Sequence, residues 1–322
     1  MADTFTRPPP KQPASWSLDR SCLEQVPCPL CRGDRFERLA TTDRYNMGLI
    51  TVGCLGCGLV MTNPQPTAEA LDDFYAYHYR HFYSDFGPRD GIPTEEHIRS
   101  RRIDRRCAVT ADLLVARGEL LPGMVVLDIG AAEGSMLKAV GDRAPGTRRI
   151  AIEPNPVFGS FAMAHAGCEW HASLADLRAS LPPPIDLVII NHVLEHLKHP
   201  VQVLESLKPL LAPNARVYIE VPDVLEYRKL KMLHIAHLYH FSSDSLAHLV
   251  TNAGFDVRLI EKYAPAKHPH SLRCVVSVAT DVAATRNSPA MPNRRAGWSA
   301  VTACARHAWF AHAKRWLRNA AA

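Results

Sequence analysis

The chain has 322 residues, 47% apolar and 21% charged, which fits one large globular domain or a domain with a smaller companion and excludes disorder throughout. Its 37 basic and 32 acidic residues leave a net charge of only +5, so composition does not require nucleic acid or an acidic polymer as an obligate partner. No apolar run approaches the roughly 20 residues that span a bilayer, and prolines fall where a signal peptide needs its apolar stretch, so a cytoplasmic protein is expected.

Residues 1–25, rich in proline and polar groups, read as a flexible tail. Residues 26–64 carry two CxxC pairs, Cys28/Cys31 and Cys54/Cys57, separated by 22 residues and each followed by a glycine turn. Two such turns present four thiolates to one ion, the pattern of a structural zinc site with no open position. That reading also implies a reducing compartment. Cys22 is a decoy beside this set, and Cys107, Cys168, Cys274 and Cys304 read as small buried apolar residues. Residues 65–122 form a helical and aromatic connector. Its Tyr75, Tyr77 and Tyr79 either stack on a sugar ring or base or pack as a linker, and a helix follows over Ile103, Cys107, Leu113 and Leu114.

From 123 to 280 strands and helices alternate. The strands are Met124–Ile129, Arg149–Glu153, Cys168–His171, Asp186–Ile190, Ala215–Val221, Phe255–Ile260 and Arg273–Ala279. Helical patterns at Ser135–Arg143, Pro156–His165, Pro200–Leu211 and Ser243–Ala253 predict a parallel sheet covered on both faces. The last two strands have no helix between them and are expected to pair antiparallel. Residues 281–322 read as a linker and an amphipathic helix with Trp298, Val301, Ala305, Trp309 and Trp316 on one face. That face either packs on the body of the protein or meets a membrane surface or a protein partner.

The first strand runs into Gly130-Ala-Ala-Glu-Gly134. Glycines at a strand-to-helix turn let the backbone approach a ligand, beside the free N–H groups of the helix start. A dinucleotide loop would need a further glycine where Ala132 stands, so a cofactor without pyrophosphate fits better, and S-adenosylmethionine is such a molecule. Glu153, at the tip of the second strand, suits its ribose hydroxyls.

The segments LDIGAAEG, AIEP, IDLVIINHVLEHLKHP, LKPLLAPNARVYIEVPD and FSSDSLAHLVTNAGF resemble class I S-adenosylmethionine-dependent methyltransferases. The resemblance implies a Rossmann-like α/β fold with a seven-stranded sheet whose last strand is antiparallel. It places Asp128, Gly130, Ala131 and Gly134 around the cofactor, Glu153 on the ribose, Asn191 beside the methionine portion, and Ser173 or Leu174 at the adenine. With the small N-terminal four-cysteine zinc module, residues 26 to 280 are similar to zinc-containing sugar methyltransferases of deoxysugar and polysaccharide pathways.

That similarity implies a small-molecule or glycan acceptor, and the weak net charge argues against nucleic acid as a partner. It implies catalytic roles for His196, a base for a hydroxyl acceptor or a backbone-paired helix-start histidine, and for His237 on a substrate-facing lid. His234, His237 and His240 recur at a spacing of three, which would align them if that segment is helical; the trio reads as a substrate-facing lid, as simple packing, or as a second metal site for which no nearby pattern supplies a fourth ligand. Ala236 stands where the C-methylating members carry glutamate, and the stretch after Thr280 is expected to be too short for their further domain. O-methylation of a sugar is therefore the leading expectation. Methylation of a small metabolite, protein or RNA, and a non-catalytic scaffold, are the alternatives.

Overall fold

The structure, a computed structural model, describes residues 18–79, 92–264, 270–280, 295 and 297–306, without the side chains of 76 and 77. Its centre is a sheet of β1 (Val125–Ile129), β2 (Arg148–Ile152), β3 (Glu169–His171), β4 (Ile185–Asn191), β5 (Leu211–Pro222), β6 (Phe255–Tyr263) and β7 (Ser271–Val278). The spatial order is β6-β7-β5-β4-β1-β2-β3. The five strands from β5 to β3 run parallel, while β7 lies antiparallel between β5 and β6. The parallel strands and the antiparallel final pair are those expected from the alternation, and the seven-stranded Rossmann-like order is the one the resemblance implies.

The central strands are covered on both faces, which is why they are continuous apolar runs: Val126, Leu127 and Leu187 to Ile190 are fully buried. One face packs with Leu177, Leu204, Leu207, Leu246 and Leu249. The other packs with Ala111, Leu114, Leu137, Val140 and Ala162. Ala111 and Leu114 lie on the helix Ile103–Ala116, so the second half of the expected connector covers the sheet. Chain order reverses between β1 and β4, which opens a crevice at their carboxyl ends.

The cysteine-rich segment builds a second sheet from Phe36–Ala40, Thr51–Cys54 and Val60–Thr62, completed by the distant pair Tyr239–His240. Cys28, Cys54, Cys57, Leu59 and Met61 share one hydrophobic cluster with Val188, Leu238 and Phe241 of the main body. The module is therefore fused to the larger domain through a common core.

Several expectations change. Residues 18–25, read from the sequence as part of a tail, belong to the fold: Leu23–Glu24 pairs with Gln65–Pro66 and Glu24 meets Lys198 at 2.7 Å. The histidine segment is not helical. A 3-10 turn at Leu230–Met232 is followed by irregular chain, because Tyr239–His240 is drawn into register with Met61 and Val60. The C-terminal helix, over 297–306, packs on the body: Trp298 and Val301 are buried with Val60, Val224 and Tyr227. Trp298 Nε1 donates to Gly58 O at 3.0 Å. Trp309 and Trp316 lie outside the described residues. No helix among the described residues is long and apolar enough to cross a membrane.

Candidate active site and cysteine cluster

A cavity of about 420 Å3 opens at the carboxyl ends of β1 and β4, walled by Asp128, Gly130, Ala131, Glu153 and Asn191 among others. The loop after β1 is shaped by its backbone. Gly130 has φ +73°, and its N–H and that of Ala131 donate to Ile152 O at 2.8 and 3.0 Å. Ala132 also holds a positive φ of 48°, a strained position for a side chain, and its N–H donates to Glu153 Oε2 at 3.0 Å. The other Glu153 oxygen accepts from the Asn155 N–H at 3.1 Å. Gly134 does not line the cavity. It lets the helix Ser135–Arg143 approach its neighbour, since a Cβ there would lie 2.9 Å from that of Ala162.

Two features of this wall fit an S-adenosylmethionine-like cation. Asp128, Glu133 and Glu153 are all buried. Burial, with the Glu133 and Glu153 charges added, pushes the Asp128 carboxyl well above its ordinary range, a situation that a bound cation relieves. Asn191 contributes a buried Oδ1 with no hydrogen-bond partner. Leu174, the other expected cofactor contact, does not line the cavity. It opens the helix Leu174–Ala179 behind Ser173, whose hydroxyl caps that helix through the Asp176 N–H at 3.1 Å.

The cavity is also lined by Tyr75, Tyr79, His192 and His196. Tyr75 lies in a single π-helical turn, Phe74–His78, an irregularity common at functional sites. Its hydroxyl is 3.0 Å from His196 Nδ1 and 3.4 Å from Ala236 O. A phenol has one proton and a carbonyl can only accept, so both contacts are satisfied when Tyr75 donates to Ala236 and His196 Nδ1–H donates to Tyr75. His196 then presents an unprotonated Nε2. Burial lowers its proton affinity, which keeps the ring neutral.

His237 is not at the cavity wall. It is buried behind His196, ring edge to face at 5.0 Å, because Thr62 holds the peptide at His237 O and Leu238 O. Its Nδ1–H donates to Met232 O at 3.1 Å. Burial, with His234 and the other neighbouring imidazoles, drives its proton affinity well down. Tyr77 falls outside the described side chains.

Three residues had no role assigned from the sequence: His192 and Glu220, which line the cavity, and Glu195, buried beside them. His192 holds φ +55° just past β4, between Glu195 at 3.5 Å and Glu220 at 3.4 Å. Burial opposes its charge, but the two carboxylates prevail and push its pKa up to about 9. Glu220 is further bound by the Tyr218 hydroxyl at 2.7 Å and by Arg273 at 3.3 Å. The available signal was the acidic residue adjoining His196 and the lone acid at the end of β5, Glu220.

Away from the cavity, Cys28 Sγ lies 3.4 Å from Cys57 Sγ and Cys31 Sγ 3.4 Å from Cys54 Sγ. All four sulfurs are within 4.8 Å of one another. A zinc ion at ordinary bond lengths sets its thiolates about 3.8 Å apart, so the cluster needs little adjustment to hold one. Gly56 makes room for it, since a Cβ there would be 2.9 Å from Cys31 Sγ.

Residues 97–260, just over half of the chain, match the family model described as a methyltransferase domain. The chain belongs to that family. Its domain is that of an S-adenosylmethionine-dependent methyltransferase, and the match begins within the helical segment, ahead of the boundary at 123 that the sequence pattern placed. The methyltransferase is 33% identical over 125 residues to trans-aconitate 2-methyltransferase of Methylobacterium nodulans, across 38% of this chain and 47% of that protein. The chain thus spans about half the length of the curated relative it matches.

Among solved structures it is similar to magnesium protoporphyrin IX methyltransferase of Synechocystis PCC 6803 with bound SAH. The TM-score is 0.49 and the identity 16%, covering 66% of this chain and all of that one. It is also similar to 1,6-didemethyltoxoflavin-N1-methyltransferase of Burkholderia thailandensis, with a TM-score of 0.48 and 19% identity, covering 69% of this chain and 96% of that one.

Proposed function

We propose that the protein transfers the methyl group of S-adenosylmethionine to a hydroxyl of a sugar or glycan intermediate. One observation carries the reading: the cofactor-type wall and a histidine–tyrosine wall face the same cavity. When bound, the cofactor supplies a methyl group activated on a sulfonium. The residues that would hold it are Asp128, Gly130 and Ala131 at the loop, Glu153 at the ribose, and Asn191 beside the amino acid portion.

On the acceptor side, His196 faces the cavity with Nε2 unprotonated and its ring oriented by Tyr75. It takes the hydroxyl proton as the oxygen attacks. Tyr79 and Tyr263 offer apolar ring surface to the acceptor. Closure of the cavity by these aromatic rings excludes water and aligns acceptor with donor. His237 orients His196 from behind.

The sugar acceptor is supported by the similarity of residues 26–280 to zinc-containing sugar methyltransferases. In the same reading Cys28, Cys31, Cys54 and Cys57 hold a structural zinc. The test is incorporation of radioactive methyl from S-adenosylmethionine into fractionated cell extract. Label in a glycan or sugar-nucleotide fraction, reduced about a hundredfold by His196→Gln, is expected. Label in nuclease- or protease-sensitive material overturns the sugar acceptor.

A further inference from the structure

Behind the cavity wall stands a buried carboxylate approached by three imidazoles, two of which turn a ring nitrogen without a proton toward it. Glu195 is 1% exposed, and neither of its carboxylate oxygens has a hydrogen-bond partner. Its Oε1 faces His196 Nε2 at 3.7 Å and His237 Nε2 at 4.0 Å. Both imidazoles have their Nδ1 proton engaged elsewhere. His237 Nδ1 is 3.1 Å from Met232 O, an acceptor only. His196 Nδ1 is 3.0 Å from a Tyr75 hydroxyl whose own proton goes to Ala236 O. Two nitrogen lone pairs therefore converge on a carboxylate. His192 Nδ1, 3.5 Å from the same Oε1, gives the carboxylate one positive neighbour, but it offers no proton to either lone pair, and an ion bound among Glu195, His196 and His237 would serve both.

A metal ligand histidine characteristically donates its other ring N–H to a carbonyl or other oxygen acceptor, which fixes ring and tautomer. His196 and His237 each do so here. With metal–ligand bonds of about 2.1 Å, tetrahedral ligands lie about 3.4 Å apart. The observed separations exceed that by a few tenths of an ångström, and the three ligand atoms all fall within 4.8 Å of one another. This cluster is separate from the four cysteines.

We infer that Glu195, His196 and His237 form a second metal site, which takes a divalent transition ion of the zinc class through two imidazole nitrogens and one carboxylate. Three protein ligands leave a fourth position open, the arrangement of a reactive rather than structural ion. The cluster meets the cavity through His196, with His192 beside it. An acceptor hydroxyl that enters this position has its pKa lowered by the ion and gives its proton to solvent water before the oxygen attacks, and His196 then serves as ligand rather than base. That consequence rests on the methyl-transfer reading; the binding of the ion does not.

The test loads the full-length protein, stripped by chelator, with Co2+ alone. Cobalt on four thiolates shows intense sulfur-to-metal charge transfer. Cobalt on nitrogen and oxygen shows only weaker visible bands. One equivalent of each kind is expected in the wild type, with the second kind at least tenfold weaker in binding in Glu195→Gln and in His196→Gln while the thiolate bands persist. If only thiolate-bound cobalt forms, or if both variants keep the nitrogen–oxygen bands unchanged, the site is overturned. Should the variants fail to fold, X-ray absorption of the zinc-loaded wild type decides: mixed sulfur and nitrogen–oxygen shells support the site, and a sulfur-only shell overturns it. Methyl transfer is assayed on the same samples, so a bound ion without turnover would count against the function and not against the site.

Discussion

At Gly130 the backbone is left-handed, and a Cβ would lie 2.5 Å from Val193 Cγ2. The left-handed conformation alone costs a residue with a side chain about 1–2 kcal/mol, and the contact adds to it in a loop that must keep its shape for the donor. Gly130→Ala is expected to weaken binding of the demethylated donor at least tenfold in calorimetry; unchanged affinity would remove this loop from the donor site. Glu220 offers a pH test. Burial would raise its carboxyl, but His192, the Tyr218 hydroxyl and Arg273 bring it from 4.5 down to about 2. A carboxyl held low in the folded chain stabilises the fold above its ordinary pKa, and that contribution is lost as pH falls from about 4.5 to 2. Glu220→Gln is expected to cost about 3 kcal/mol at neutral pH and to flatten the acid limb of the stability curve. Denaturant titrations at several pH values measure both, and an unchanged slope would show that Glu220 is not held in this way.

The element that links the two sheets is short. Tyr239–His240 pairs with Val60–Thr62, and Thr62 Oγ1 donates to His237 O at 3.1 Å. The cysteine module therefore fixes the loop that carries His237 and Ala236, while the residues proposed to hold the cofactor stand on or just beyond β1, β2 and β4. Loss of the zinc proposed on the four cysteines should act unequally on the two walls. Cys54→Ser is expected to lower Tm and to reduce methyl transfer more strongly than donor affinity, read by scanning calorimetry, turnover and binding on one preparation. Equal loss of both would mean that the module supports the whole fold and not the acceptor wall in particular.

Across the whole molecule, the first and last described segments meet. Trp298 closes over the cysteine module so tightly that a Cβ at Gly53 would lie 2.2 Å from its ring. Its neighbours Leu39, Val60, Val224 and Met232 come from both the module and the main body. Trp298→Ala leaves a cavity at that junction and is expected to cost about 3–5 kcal/mol in urea unfolding. A loss below 1 kcal/mol would show that the helix over 297–306 is not a structural clasp.

What could be read from the chain alone was the part written in local pattern. Continuous apolar strands alternating with periodic helices predicted the seven-stranded sheet, because a strand buried on both faces needs apolar side chains throughout. The loop from Gly130 to Gly134, the acid at Glu153 and the two CxxC pairs were legible for the same reason, since each is a short run whose backbone demands particular residues. Packing decided the acceptor wall. Tyr75 and His196 lie 121 residues apart, and nothing near either records that they touch. Nor could spacing tell that His196 reaches the cavity while His237 is buried behind it, that Leu174 is turned away, or that the carboxylate of Glu195 meets three imidazoles. Such juxtapositions follow from how distant segments close over a shared core, and local sequence carries no trace of them.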